Sequence, residues 1–76
     1  MTRALILLTL EPDAGNKPVE KVKKISEVID SEMLYGPFDA YVLIDAEDSQ
    51  TLQDIIIKKV RNIEGIESTL TCFIAS

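Results

Sequence analysis

The segment Tyr35-Gly36-Pro37-Phe38-Asp39 lies near the middle of the chain, between two apolar runs with the character of strands. Proline fixes φ and suits the second position of a tight turn, and a glycine before it adopts backbone angles that other residues avoid. An aspartate at the end accepts hydrogen bonds from turn amides. The segment predicts a hairpin turn of four residues, 36–39. It also fits a ligand site, since a turn offers free backbone amides and here a carboxylate.

The 76 residues of the chain have the length of one small domain. A chain this short buries only about 60% of its unfolded surface, so its own core is marginal. Hydrophobic residues nevertheless make up 46% of the sequence. Either the core is densely aliphatic or apolar surface is buried against another chain, and we favour the second.

Charge and cysteine usage exclude several functions. The net charge of −5 is opposite to the basic footprint that nucleic-acid binding needs. Cys72 is the one cysteine and histidine is absent, which excludes an intrachain disulfide, a Cys/His zinc site and a Cys-His catalytic pair. We interpret Cys72, in an apolar final strand, as a buried core residue. No stretch is long enough to cross a membrane and no signal-peptide pattern is found, so we expect a cytoplasmic protein.

The first half of the chain predicts a strand, a helix and a second strand. Residues 3–11 form the first strand, whose apolar run 4–8 is typical of a strand buried on both faces. Asn16 is the predicted helix N-cap, with Pro18 in the first turn. The second strand covers residues 30–35. The apolar stripe of the helix recurs every three to four residues, at Val19, Val22, Ile25, Val28 and Ile29.

The second half repeats this order. Residues 40–46 alternate as a strand, Asp48 or Ser49 is the predicted N-cap of a second helix, and Gly65 follows its end. The last strand covers residues 66–75. The stripe of the second helix is Leu52, Ile55, Ile56, Val60 and Ile63. One face of the last strand carries Leu70, Cys72 and Ile74, and the other carries Thr69, Thr71 and Phe73.

The order β-α-β-β-α-β predicts an α+β fold, the ferredoxin-like sandwich. Right-handed crossovers place both helices on one face of a four-stranded antiparallel sheet. The other face then has no cover within the chain, and exposed apolar surface of this kind marks an interface. We therefore expect a dimer packed sheet face to sheet face. The residues expected on the uncovered face are Leu5, Leu7, Thr9, Tyr41, Leu43, Thr71 and Phe73.

With this topology, the chain resembles a stand-alone ligand-binding module, the RAM domain, of the Lrp/AsnC family of transcriptional regulators. The central turn is similar to the family's glycine-x-x-aspartate turn after an apolar strand. Ala46-Glu47-Asp48 resembles the opening of the family's second helix. Residues 63–71, Ile-Glu-Gly-Ile-Glu-Ser-Thr-Leu-Thr, resemble the approach to its last strand, with Glu64 where proline is usual. The resemblance covers nearly the whole chain.

The resemblance implies a module that binds amino acids or related small molecules. We expect no enzymatic activity. The resemblance also implies dimers that assemble into rings, with the ligand bound between dimers. Carried over position by position, the resemblance points to ligand contacts at Gly36, Asp39, Thr69, Thr71 and Phe73. Strand propensity explains the presence of Thr69 and Thr71 equally well.

Full-length relatives carry an N-terminal helix-turn-helix, whereas the first strand here starts by Arg3. We therefore expect residues 1–76 to form a single domain with no DNA-binding domain, which does not contact nucleic acid or membrane itself. Its expected partners are further copies of itself, a small molecule and a full-length regulator of the family. No cofactor and no metal are expected.

Two alternatives come from other functional classes. Small enzymes share this topology, but catalysis needs a base, a nucleophile or an oriented amide set, and no such constellation is found. Asp39, Asp45, Glu47 and Asp48 are candidates for a metal cluster, although turn and cap roles explain them as well. A purely structural subunit of a larger assembly is the second alternative. A nucleic-acid-binding sheet is disfavoured because the strands lack stacking aromatics.

Overall fold

A computed structural model describes residues 1–75. Four strands and two helices follow the predicted order: β1 (Thr2–Leu10), α1 (Lys17–Val22), β2 (Val28–Met33), β3 (Ala40–Ala46), α2 (Ser49–Ile55) and β4 (Ile66–Phe73). A π-helical turn, Ile56–Val60, continues α2. The strands form one antiparallel sheet in the order β2-β3-β1-β4. The ferredoxin-like α+β fold predicted from the sequence is confirmed.

The core lies between the sheet and the helices. Alternate residues of the two central strands are fully buried, and the second helix presents its predicted apolar stripe to them. The burial of one side chain of this size stabilises the fold by about 1.5–3 kcal/mol. The core residues of the central strands are Ala4, Ile6, Leu8, Ala40, Val42 and Ile44, and those of the second helix and its π-helical turn are Leu52, Ile55, Ile56 and Val60.

The second helix begins where the sequence predicts. The Asp48 side chain accepts a hydrogen bond from the Thr51 N–H at 2.8 Å, which satisfies one of the free amides of the first turn. This backbone hydrogen bond lowers the pKa of the Asp48 carboxyl. At the other end of the helical segment, Lys59 Nζ lies 3.2 Å from Glu27 and lowers the pKa of that carboxyl through the hydrogen bond.

The first helix is shorter than predicted. It ends at Val22, and Val28 and Ile29, which the sequence assigned to its apolar stripe, belong to β2. β-Branched residues favour strands, and the spacing of Ile25 and Val28 fits the core from a turn and a strand as well as from a helix. Asn16 occupies the N-cap as predicted, but its side chain makes no capping hydrogen bond.

The two faces of β4 are the reverse of the expectation. Thr69, Thr71 and Phe73 pair with Leu8, Ile6 and Ala4, so they lie on the helix side of the sheet. Leu70 and Cys72 pair with Leu7 and Leu5 and lie on the open side.

The assignment of Thr71 and Phe73 to the uncovered face was therefore wrong, and so was the assignment of Cys72 to the core, since its thiol is exposed. The register shifts where Thr9 and Leu10 meet Ser68 and Ile66, which leaves Glu67 without a partner as a bulge. Such an irregularity hides the phase of a strand from its sequence pattern.

The open face of the sheet keeps an apolar centre after this correction. Leu5, Leu7, Tyr41 and Leu43 are half-buried there, next to the exposed Leu70. Both helices pack on the other side, so no segment among residues 1–75 covers this centre. The described part of the chain contains no helix that is long and apolar enough to span a membrane.

Gly65 packs closely against the first helix. Its φ is 97°, and a Cβ at this position would lie 2.7 Å from Pro18 Cγ and 3.1 Å from Ala14 Cβ. Its carbonyl also accepts a hydrogen bond from the Glu11 N–H at 2.9 Å. Gly65 therefore joins the start of β4 to the loop that leads into α1.

We expect Gly65→Ala to destabilise the domain more than Gly15→Ala. Both positions have positive φ, which costs a residue with a Cβ about 1–2 kcal/mol, but the Cβ added at position 15 meets nothing within 4 Å. Overpacking against Pro18 adds about 1–3 kcal/mol at position 65 alone. Urea unfolding measures the free energy of unfolding of the two variants. Equal decreases in the two would contradict the close contact between position 65 and Pro18.

Candidate functional site

A cleft of about 620 Å³ separates the second helix from β4. Its size falls in the range of small-molecule pockets, which is about 300–1,000 Å³. Its walls come from the helical segment 53–61 on one side and from the edge strand on the other. The lining residues are Gln53, Ile56, Ile57, Arg61, Ile66, Glu67, Ser68, Thr69, Thr71 and Phe73.

Three predicted site residues form the strand wall. Thr69, Thr71 and Phe73 occupy alternate positions of β4, so their side chains share the face that looks toward α2. The two threonines are half-buried and Phe73 is 46% exposed. This wall therefore offers two hydroxyls and one aromatic ring.

The free edge of β4 adds backbone groups to the same wall. The Ile74 N–H donates to the Arg3 carbonyl at 2.9 Å, so the amides of even-numbered residues in β4 point to β1. The N–H and C=O groups of Thr69, Thr71 and Phe73 point the other way, toward an edge where no strand of residues 1–75 pairs. Donors and acceptors of the main chain thus border the cleft at the positions whose side chains line it.

The helix wall consists of residues four apart. Gln53, Ile57 and Arg61 lie on one ridge of the helical segment, beside the buried stripe. Arg61 directly follows the π-helical turn, and its N–H donates to the Ile56 carbonyl five residues earlier at 2.9 Å. π-Turns inside helices are frequent at functional sites.

The central turn lies apart from the cleft. It spans residues 34–39, two more than predicted, and is closed by a hydrogen bond from the Leu34 N–H to the Asp39 carbonyl at 2.8 Å. Gly36 adopts φ 144° at a position where an added Cβ would meet nothing within 4 Å. The residues leading into the turn are exposed, and Tyr35 is wholly so.

Asp39 is bound to the end of β1. Its N–H donates to the Leu8 carbonyl at 2.8 Å, and its Oδ2 accepts a hydrogen bond from the Leu10 N–H at 2.7 Å. One carboxylate oxygen therefore has a structural partner.

β1 separates the two groups of predicted site residues. Asp39 lies on one side of Leu8 and Thr69 pairs with Leu8 on the other, two strand spacings or about 10 Å away. One chain brings together Thr69, Thr71 and Phe73 and leaves Gly36 and Asp39 outside their cleft.

Two of the other three acidic candidates have local partners. Asp48 caps α2, and Asp45 lies 3.8 Å from the Arg3 guanidinium. Within residues 1–75, no group of three or more metal-ligating side chains is assembled. A second, smaller cleft of about 350 Å³ lies between the loop after β1 and Gly65, and its lining mixes both charges: Glu11, Asp13, Ala14, Lys17, Pro18, Lys21, Glu64 and Gly65.

Sequence reasoning missed the helix wall of the larger cleft. The sequence patterns single out neither Arg61 nor Gln53 and Ile57 as ligand contacts. The available signal was their spacing of four, which places a polar, an apolar and a cationic side chain on one ridge.

Comparison with known proteins identifies relatives of the whole fold. The family model described as Lrp/AsnC ligand binding domain matches residues 3–76. An HTH-type transcriptional regulator of Pyrococcus abyssi is 32% identical over 73 residues, which cover 96% of this chain and 46% of that protein. One from Pyrococcus furiosus is 29% identical over 92% of this chain and 49% of its own length. The chain thus spans about half the length of these regulators.

Solved structures also share the fold of this chain. A hypothetical protein from Pyrococcus horikoshii is 25% identical, with a TM-score of 0.91 over 100% of this chain and 92% of its own. AsnC of E. coli shares the fold at 21% identity, with a TM-score of 0.87 over 99% of this chain and 51% of its own. A transcriptional regulator from Neisseria meningitidis, solved as a complex with L-Met, shares it at 16% identity, with a TM-score of 0.86 over 99% of this chain and 50% of that one.

The enzyme alternative finds no support among the sequence relatives, which are HTH-type transcriptional regulators matched through a ligand-binding domain. The predicted resemblance is confirmed by a match that covers all but the first two residues. The chain belongs to the Lrp/AsnC ligand-binding domain family.

Proposed function

We propose that the domain binds an amino acid or a closely related small molecule and acts as the sensing part of a regulatory assembly. The observation that carries this proposal is the cleft between α2 and β4, because Thr69, Thr71 and Phe73 line it together. These are three of the five positions to which the family resemblance assigns ligand contacts.

The chemistry of the cleft fits a zwitterion. A carboxylate needs hydrogen-bond donors, which the threonine hydroxyls and the outward amides of β4 supply. An ammonium group needs acceptors, and a carboxylate is the strongest of these. Asp39 fills that role from a neighbouring copy, since it lies outside the cleft of its own chain and only its Oδ2 is bound to Leu10.

A precedent comes from the regulator of Neisseria meningitidis, which was solved with L-Met. It shares the fold of this chain at low identity, so it supports the class of ligand and leaves its identity open. L-Methionine is a reasonable first member of a binding panel.

The proposed assembly starts from a dimer joined through the open sheet faces. Half-buried leucines at the centre of that face contribute about 25 cal/mol per Å² when a second copy covers them. Dimers then associate further, so that the exposed turn around Tyr35 in one dimer reaches the cleft of another. The same contacts allow co-assembly with a full-length HTH-type regulator, through which this domain would modulate transcription.

Oligomerisation is tested first. We expect light scattering coupled to size exclusion, at micromolar protein, to report a dimer or a multiple of dimers. Leu5→Lys, at the centre of the open face, should shift the mass toward 8.5 kDa because an ammonium cannot be buried there without a partner. Gln50→Lys on the exposed surface of α2 is the matched control and should leave the mass unchanged. A wild-type protein that remains monomeric would rule out sheet-face pairing.

Ligand binding is tested at Thr71. Calorimetric titration with the twenty standard amino acids identifies the ligand, and Thr71→Val should weaken its binding about 3- to 10-fold, as expected for one lost hydrogen bond. Thr2→Val makes the same change outside the cleft and should bind normally. If no amino acid binds the wild type, the alternative of a purely structural subunit is favoured.

Asp39 requires a variant that separates its two roles. We expect Asp39→Asn to keep an acceptor for the Leu10 N–H and to melt close to the wild type, while losing the charge that holds an ammonium. Its affinity should fall tenfold or more. Asp39→Ala should lose about 1–3 kcal/mol of stability as well, because the Leu10 amide is left unsatisfied. An asparagine variant with wild-type affinity would reduce Asp39 to a scaffold residue.

A further inference from the structure

Arg61 is the cation among the residues that line the cleft, and the family resemblance does not assign it a role. Its side chain lines the wall opposite Thr69 and Thr71. Within residues 1–75 it has no carboxylate within 4.0 Å, whereas Arg3, Lys23 and Lys59 each have one. An unpaired guanidinium beside a small-molecule cleft presents five N–H donors in a fork that matches a carboxylate.

The position of Arg61 is fixed by the main chain. Its amide closes the π-helical turn at Ile56, and the residues before it on the same ridge, Ile57 and Gln53, line the cleft with it. The adjoining Val60 is fully buried in the core, so the base of this ridge is held by packing. The guanidinium thus extends from a rigid element, which favours precise recognition.

The apolar part of the cleft lies next to this cation. Ile56, Ile57, Ile66 and Phe73 contribute to the lining, with Ile57 53% exposed in the single chain. A ligand whose carboxylate meets Arg61 would place an adjoining apolar group against these side chains. A charged ligand side chain would have to be desolvated against these apolar groups, which is costly.

Resting on the proposed function, we propose that Arg61 is the specificity residue that binds the α-carboxylate, and that the cleft selects amino acids with an apolar side chain. Glu67 lines the same cleft and balances the charge, so the pair of side chains matches a zwitterion. An ammonium group carries three donors, which leaves room for both Glu67 and the Asp39 of a neighbouring copy.

The experiment compares amino acids with their α-carboxamides, which keep the amine and the side chain but remove the negative charge. We expect the wild-type protein to bind L-leucine or L-methionine at least tenfold more tightly than the corresponding amide. In Arg61→Gln, the affinity for the amino acid should fall tenfold or more and the preference over the amide should disappear. Arg61→Lys keeps the charge and loses the forked donor geometry of the guanidinium. Its affinity for the amino acid should lie between those of the wild type and Arg61→Gln.

Lys58→Gln is the matched control. Lys58 lies on the same π-helical turn, is exposed, and does not line the cleft, so this variant removes the same charge without touching the site. Thermal melts of both variants should match the wild type, because both side chains are exposed.

The outcomes separate this inference from the proposal on which it rests. Absence of binding by the wild type to all twenty amino acids would overturn the proposed function and the inference together. Binding of L-leucine or L-methionine that survives Arg61→Gln, or falls equally in Lys58→Gln, would overturn the role of Arg61 alone. A wild type that binds only charged amino acids would overturn the selectivity for apolar side chains and leave the proposed function in place.

Discussion

The fold depends on the pairing of β1 along both of its edges. This strand is antiparallel to β3 on one side and to β4 on the other, and it presents Ala4, Ile6 and Leu8 to the helices with no exposed surface. Because β1 and β3 fill the centre, β4 is left at the edge of the sheet, next to the end of α2. The cleft, its free backbone groups and its threonine side chains all follow from that placement.

Much of this arrangement could be predicted from local patterns. The alternation of side chains along residues 40–46 predicted both ends of β3 and its buried face. The spacing of aliphatic residues predicted the core stripe of the second helix. Asp48 was one of two candidate caps, and the side chain–amide bond to Thr51 decides between them. These features depend on short stretches whose physical signal is contained in the sequence itself.

Other features depend on contacts that no local pattern records. The bulge at Glu67 sets which face of β4 meets the helices, and both faces carry apolar and hydroxyl side chains, so composition could not choose between them. Val28 and Ile29 satisfy a helical spacing and a strand preference at once, and tertiary pairing with β3 decides for the strand. In the candidate site, the resemblance indicated the strand wall, whereas the ridge of Gln53, Ile57 and Arg61 emerged only from its place opposite that wall.

The two hydrogen bonds between Asp39 and β1 determine how the central turn is placed relative to the cleft. The Asp39 N–H donates to the Leu8 carbonyl, and the Asp39 carboxylate accepts from the Leu10 N–H. Two backbone groups on the same edge of β1 are therefore bound by one residue of the turn. Leu8 is also paired with Thr69, which lies on its other edge and lines the cleft. The end of the turn and the wall of the cleft therefore have one residue of β1 as their common neighbour.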